Sequence, residues 1–407
     1  MKNSKISKEN LEWYLSQPTE LQLGLFENFV EMAKLHYNQM MEKESVDKAG
    51  EKYERGKRYN RWGSNPGSIR IGEEKVPVDV PRYYDKEEMR TEESETYKNL
   101  HEIPMPSEVI MKKIIKGVSQ RDYEEVTKSI LESFGMSQST ISRTFIEESK
   151  KLLEEFEKRD LGIYDFAALI IDGKYLSRDN IVIALGVTMT GVKVPLGFIQ
   201  TTTENSQAVK GLLKNLIERN FHFEEGLLTI IDGSKGLRKA VEETFGNLTL
   251  IQRCQWHKRE NVVSYLRQEE KEVYRGKLQR AYSEPDYDTA KGRLFEIRDE
   301  LRKINRTASN SLEEGLEETL TMHRLGLIET LGTSFTTTNL IENLNSQLTK
   351  YIRKVKRWTN SEMKSRWVAV ALLEIEKKMR RVNRFDKLNL LRVALKSELR
   401  LNQQNVA

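Results

Sequence analysis

The stretch "FAALIIDGKYLSRDNIVIALGVTMTGVKVPLGFIQ" (166–200) decides the fold, together with "GLLTIIDGSKGLRKA" (226–240). Three apolar, β-branched runs stand in succession, "FAALIID", "NIVIALGVTM" and "VKVPLGFIQ", and the last two are joined by the tight-turn pair Thr190-Gly191. A helical stretch follows ("NSQAVKGLLKNLIERN", 205–220), then the strand "GLLTIID", the helix "KGLRKAVEETF" and the strand "LTLIQRC". The order β-β-β-α-β-α-β combines an antiparallel meander with parallel additions through crossover helices. That order is the skeleton of an α/β ribonuclease-H-like domain with a mixed five-stranded sheet, and other mixed α/β sheets share it.

The letters Ile-Ile-Asp-Gly occur twice, around Asp172 and Asp232. The two stretches diverge at once, "KYLSRDN" against "SKGLRKA", which excludes an internal repeat. Asp172 is expected to end the first strand and Asp232 the fourth. If those strands are parallel neighbours, both carboxylates leave the same edge of the sheet, where open α/β sheets bind their ligands. A glycine after each Asp is expected to let the chain turn away and leave room for a cation and a phosphate. The plainer reading of each Asp-Gly is a turn. Two carboxylates hold Mg²⁺ weakly, so a third acid is wanted. The candidate is Glu342 in "SFTTTNLIENLNSQLTKYIRK" (334–354), on a first helical turn with Asn345, Ser346 and Thr349 on its face. Its competing reading is a capping box, Asn339-x-x-Glu342.

"QRCQWHK" (252–258) sets Cys254 and His257 at C-x-x-H spacing. A structural zinc site needs about four such ligands, and the chain has one cysteine and 5 histidines. A helix start with a buried thiol, or a histidine beside the acidic site, remain. The chain contains no P-loop, no G-x-S-x-G and no H-E-x-x-H, and Lys174 stands where a D-x-D phosphatase pattern needs its second acid.

The 407 residues suit two or three domains, with 38% hydrophobic and 32% charged residues. No apolar run reaches the roughly 18–20 residues that span a bilayer, the N-terminal residues lack a secretory signal's apolar core, and a lone cysteine fits a reducing cytoplasm. The expectation is a cytoplasmic protein with no membrane. The net charge of +5 is unevenly spread: residues 343–387 hold 13 Lys/Arg against 4 Asp/Glu, a surplus of +9. Arg353, Lys354, Arg357 and Trp358 lie in this segment, and Arg55, Lys57, Arg58 and Arg61 in a second basic, aromatic run at 52–62. Such runs are either solvated surface or a footprint for phosphates, and two of them flanking a candidate site favour nucleic acid.

Residues 8–56 read as helices. "SIRI", a "GEEK" turn and "VPVDV" (68–80) read as an exposed β-hairpin. "SQRDYEEVTKSILESF", the turn "GMSQ" and "STISRTFIEESKKLLEEF" (119–156) have helix-turn-helix spacing, with Ser137 as a cap. On the second helix Ile141 and Phe145 are expected to face inward, and Gln138, Ser139, Ser142 and Arg143 outward toward DNA. An ordinary helical hairpin is the alternative. The chain thus divides into a helical region (1–60), a hairpin and linker (61–104), a helix-turn-helix region (105–160), a first sheet segment (161–257), an all-helical insertion (258–332) and a second segment with a basic helical C-terminus (333–407).

The blocks "IIDG", "IIDGSKGLRKAVEETFG…QRCQWHKREN" and "SFTTTNLIENLNSQL…RW" resemble the mutator-type transposases of bacterial insertion sequences, a branch of the DDE transposases with a ribonuclease-H-like catalytic domain. The resemblance spans about residues 105–400 and implies that Asp172, Asp232 and Glu342 form the acidic triad, with Cys254 and His257 as a signature beside it. It implies two Mg²⁺ ions, replaceable by Mn²⁺, and double-stranded DNA as substrate, both terminal inverted repeats and target. It further implies a helical insertion at 258–332, a circular intermediate, and a homodimer or larger assembly to pair two ends. A structure-specific nuclease or resolvase and an inactive, DNA-binding descendant are the rival functions.

Overall fold

The computed structural model describes residues 29–54, 57–71, 74–101, 111, 114–115, 138–176, 179–201, 206–353, 355 and 358–404. Two compact units divide the chain: Met1–Ile114 with Glu124–Phe145, and Ile115–Tyr123 with Ile146–Ala407.

In the first unit, helix α1 (Phe29–Ala49) precedes strands β1 (Tyr59–Ile71), β2 (Glu74–Asp85) and β3 (Arg90–Glu93), and helix α2 (Glu95–His101) follows. The expected hairpin is present, pairing Ile69 with Val76 and Ile71 with Glu74, but its strands run much further in both directions and a third strand joins them. Tyr37, Met41 and Ile69 form the core that α1 and the sheet share. Helix α3 (Gln138–Lys158) carries the second half of the helix-turn-helix reading; the first half, with Ser137, lies outside the described residues. Ile141 and Phe145 are buried, Ser139 and Arg143 are exposed and Ser142 is half-buried. The inside-outside split expected of that helix therefore holds for Ile141, Phe145, Ser139 and Arg143, and only in part for Ser142.

The second unit is built on a mixed sheet of β4 (Phe166–Leu176), β5 (Asp179–Thr188), β6 (Lys193–Thr201), β7 (Leu227–Ile231) and β8 (Thr249–Arg253), in the order β6-β5-β4-β7-β8. The meander β4-β5-β6 is antiparallel, and β7 and β8 add in parallel beside β4. Helices α4 (Ser206–Glu218) and α5 (Lys235–Phe245) make the two crossovers. Their buried faces, Val209, Leu213 and Leu216, and Leu237, Ala240 and Val241, join Leu169, Ile171, Val182, Leu227 and Ile231 in one core. Every residue of β7 is buried, as is all of β5 after its first residue. That explains why these strands read as continuous apolar runs rather than alternating ones. At Gly186 a Cβ would stand 2.5 Å from the Phe166 ring, so glycine there lets β5 pass beneath that ring.

Strand β4 corrects the sequence reading in one respect. It does not end at Asp172: it continues to Leu176, with Asp172 opposite Ile183 and Gly173 opposite Val182 on β5. Only its parallel pairing with β7 stops there, the last partners being Ile171 and Ile231. Asp172 is held in the sheet by antiparallel hydrogen bonding, so the chain does not turn away at Gly173.

Beyond β8 the chain is helical: α6 (Gln255–Ser264), α7 (Gln268–Tyr282), α8 (Tyr287–Ile304) and α9 (Arg306–Glu313), single turns at 316–319 and 321–324, and α10 (Ile328–Phe335). Val262, Leu278, Leu294, Leu301, Leu312 and Leu320 give the stretch its own core. It forms a separate packing layer with no strand among the described residues. Helices α11 (Asn339–Ile352), α12 (Ser361–Glu376) and α13 (Leu388–Gln404) complete the unit. Among the described residues, no helix is long and apolar enough to cross a membrane.

Candidate catalytic cleft

Side chains alternate along a strand, and Ile171 and Ile231 both enter the core that α4 and α5 cover. The next residues, Asp172 and Asp232, follow directly on the last partners of the β4–β7 parallel pair, at the same edge of the sheet. Asp232 stands where β7 ends: its Oδ1 accepts from the Ser234 amide at 2.8 Å, and Gly233 takes φ +110°, turning the chain into α5. Here the turn expected after an Asp-Gly does occur.

Helix α11 brings the third acid. Its N-cap is Thr338, not Asn339, which is the first helical residue, so the capping-box reading of Glu342 fails by one position. Glu342 instead accepts a 2.9 Å hydrogen bond from the Thr338 hydroxyl. Asp172 and Glu342 line one cleft of about 460 Å³, with Gly173, Lys174, Asn345 and Ser346 around them and Lys350 and Arg353 further along α11. Asp232 is not among its walls. The three acids are not drawn into one knot. Among the described residues, the one group of three acids, histidines or cysteines whose ligand atoms all lie within 4.8 Å is Asp85, Glu88 and Glu92. That group belongs to the first unit and is already neutralised: Arg58 grips Asp85 at 2.6 Å, Arg90 pairs with Glu88 at 2.7 Å and Lys48 with Glu92 at 3.2 Å.

Asn345 is the residue whose part the sequence did not disclose beyond its place on the polar face. It is 5% exposed, and its Nδ2 donates to Asp172 Oδ2 at 3.1 Å. Its own carbonyl oxygen, Oδ1, is buried without a partner. A buried acceptor left open costs about 1–3 kcal/mol. Lys174 Nζ donates to the Asn345 backbone carbonyl at 2.9 Å, tying β4 to α11 a second time. Burial lowers the Lys174 pKa, which the nearby Asp172 carboxylate partly offsets.

The "QRCQWHK" block divides into two jobs. Gln252, Gln255 and Lys258 reach into the returning end of the insertion: both amides donate to Thr319 O at 2.9 Å, and Lys258 Nζ donates to Ser311 O at 2.7 Å and to Glu314 O. Arg253 bridges Gly233 O at 2.9 Å and the Glu314 carboxylate at 3.2 Å. The other two point elsewhere. Cys254 is the buried N-cap of α6, and its sulfur lies 3.4 Å from the Thr338 hydroxyl; His257 Nδ1 lies 3.3 Å from the same hydroxyl. Thr338 thus joins Cys254, His257 and Glu342. Burial alone would lower the His257 pKa; the Cys254 sulfur, then Asp172 and Asp232, outweigh it and raise it. Burial alone would raise the Cys254 thiol, and His257 and Thr338 outweigh that and lower it.

The basic candidates are scattered. Arg58 is bound to Asp85 and Glu87, and Arg61 to Glu42 and the Gly50 carbonyl, all within the first unit. Lys57 donates to Val46 O at 3.1 Å, and Arg143 lies exposed on α3. Arg353 is exposed in the cleft wall and Trp358 is half-buried. Arg55, Lys354 and Arg357 lie outside the described residues, as does the side chain of Gln138.

A parallel strand pair is followed at one sheet edge by two aspartates, and a helix brings a glutamate to the cleft of the first of them, which Lys174, Lys350 and Arg353 also line. The family described as "Transposase, Mutator family" matches residues 7–381, and the chain belongs to that family. It is 25% identical over 361 residues to the transposase for insertion sequence element IS256 in transposon Tn4001 of Staphylococcus aureus, covering 83% of this chain and 87% of that one. It is 27% identical over 274 residues to the transposase for insertion sequence element IS905 of Lactococcus lactis, covering 66% of this chain and 68% of that one.

Proposed function

We propose that this chain is a DNA transposase with a ribonuclease-H-like catalytic domain, which binds the terminal inverted repeats of an insertion sequence, cuts at their ends and transfers the freed strand through a circular intermediate. The observation that carries the reading is the register match of Ile171 with Ile231, which puts Asp172 and Asp232 at one sheet edge, with Glu342 brought to the Asp172 cleft by α11.

The donor set fits hard divalent cations: two aspartates, a glutamate and the unpartnered Asn345 Oδ1 are all oxygen. Asp172, Asp232 and Glu342 would hold Mg²⁺, as two ions, with Mn²⁺ as substitute. When bound, such ions supply Lewis-acid stabilisation of the charge on a phosphodiester in displacement. The protein's own part is positioning. Asn345 fixes the Asp172 carboxylate, Thr338 fixes that of Glu342, and Lys174, Lys350 and Arg353 give the cleft a wall suited to phosphate oxygens. Water attacks the phosphodiester at the element's end, breaking the P–O3′ bond and releasing a 3′-hydroxyl. That hydroxyl attacks a second phosphodiester, forming a new P–O3′ bond as the old P–O3′ bond breaks and its 3′-oxygen leaves as a free 3′-hydroxyl.

The outward face of α3 and the first unit would hold the terminal repeats, and the basic segment 343–387 the flanking or target backbone. A homodimer would pair two ends, in the cytoplasm. A nuclease or resolvase would cleave without joining. Pre-cut ends bearing a 3′-hydroxyl, incubated with Mg²⁺ and plasmid target, separate the two: joined product is expected, and cleavage without joining would favour the nuclease. No Mg²⁺-dependent nicking at all would favour the inactive, DNA-binding descendant.

A further inference from the structure

Helix α11 carries more polar surface than the acidic cleft uses. Ile341, Leu344 and Leu348 face the core, and Glu342, Asn345, Ser346 and Thr349 face the acidic cleft. Asn339, Asn343 and Gln347 form a third stripe, roughly a third of a turn around the helix. They line a separate groove of about 530 Å³, whose other walls carry Lys193, Lys378, Arg380 and Arg381. No acid lines it.

Charge this dense is normally compensated on a folded surface. The basic residues next along the chain behave that way: Lys377 pairs with Glu374 at 2.5 Å, and Lys387 with Asp386 at 3.5 Å. Among the described residues, none of the four groove cations has such an ion pair. Lys378 Nζ reaches only the Tyr351 hydroxyl, at 3.3 Å, and Arg381 lies over the Phe385 ring, at 5.0 Å. The wall that bears them is held in place. Val382 N donates to Gly191 O at 2.9 Å, anchoring it to the β5–β6 turn, and Val382 itself is buried. Gln347 Nε2 donates to Asn343 Oδ1 at 2.6 Å, which keeps the amide stripe ordered.

We propose that this groove binds a second stretch of DNA phosphodiester backbone, apart from the stretch that enters the acidic cleft. Four uncompensated cations opposite a row of amides suit a repeating anion with hydrogen-bonding oxygens, and backbone of this kind is bound largely by neutralising phosphates. Helix α11 is then a divider: one flank handles the reacting phosphate, and the other holds DNA that does not react. The proposal rests on DNA being the substrate but not on the acids being catalytic.

The test is DNA binding by the full chain in EDTA, with no cleavage to confuse it. A labelled random-sequence duplex is titrated at several salt concentrations against wild type and the combined Lys378→Ala, Arg380→Ala and Arg381→Ala variant. Each lost phosphate contact lowers the slope of log K against log salt by about 0.9, so a fall of about 2–3 is expected. Amine acylation of the wild-type chain, read by mass spectrometry, needs no variant: Lys193 and Lys378 should become protected when duplex is added. An unchanged slope in a variant that melts like wild type, or lysines that stay reactive with DNA bound, overturns the proposal. Loss of Mg²⁺-dependent cleavage in the Asp172→Asn protein with its EDTA binding intact would bear on the acids alone.

Discussion

Asn345 on α11 donates a 3.1 Å hydrogen bond to Asp172 on β4, joining two positions 173 residues apart and fixing where the third acid's helix lies against the first acid's strand. Replacing Asn345 by Leu removes that donor and the open Oδ1 together. The fold should lose roughly 1–3 kcal/mol, because Asp172 remains buried with a partner gone. Cleavage should fall more than that loss accounts for, while DNA affinity in EDTA holds. Urea melts beside a nicking assay check this, and full nicking in the variant would remove Asn345 from the site.

Thr338 is the N-cap of α11, yet its side chain makes no capping bond. A Thr338→Val protein should therefore lose little stability, about 1 kcal/mol or less. It should still cleave poorly, since Glu342 loses its hydroxyl donor and His257 its neighbour. Equal losses of stability and activity would make Thr338 merely structural.

Gly233 has φ +110°, and a Cβ there would stand 2.1 Å from Arg253 Nε. Gly233→Ala should destabilise the second unit by roughly 2 kcal/mol or more, from backbone strain and displacement of Arg253 from Glu314. Gly211, whose Cβ would meet nothing within 4 Å, is the control: Gly211→Ala should be neutral or slightly stabilising.

Lys258 is 1% exposed, and burial pushes its pKa from 10.5 down to about 8, with Arg253 adding to the effect and Glu314 opposing it. The folded state releases this proton first, so between about pH 8 and 10.5 the unfolded chain binds more protons. Stability attributable to this group rises with pH across that window, and below it the cost of burying the charge is fully present. Urea midpoints of wild type relative to Lys258→Met should climb from pH 8 to 10. A constant difference would refute the assignment.

The doubled Ile-Ile-Asp-Gly made the parallel pair readable, because β7 is wholly buried and only strand ends escape that environment. The continuation of β4 past Asp172 was not readable: its partner there is β5, and Gly173 after an Asp carries the local signature of a turn even inside a ladder. Glu342 could be found as an acid on a polar helix face, but the helix start one residue early, at Thr338, is a tertiary outcome. The Thr338 hydroxyl is held among Cys254, His257 and Glu342, contacts of 84, 81 and 4 residues' separation. The clamp made by Gln252, Gln255 and Lys258 was hidden for the same reason, since its partners are backbone carbonyls that no side-chain pattern marks. In the first unit, the ion pairs of Arg58 and Arg61 were not readable, because their acidic partners, Asp85 and Glu42, lie 27 and 19 residues away.

If Asp172, Asp232 and Glu342 act as one metal-dependent site, loss of any one carboxylate abolishes cleavage, and Glu342 is the decisive case. Wild type and the Asp172→Asn, Asp232→Asn and Glu342→Gln proteins should be compared for Mg²⁺-dependent nicking at the terminal repeats, with repeat binding measured alongside in EDTA. All three variants should bind, and none should nick. A Glu342→Gln protein that binds and nicks as wild type does would contradict it.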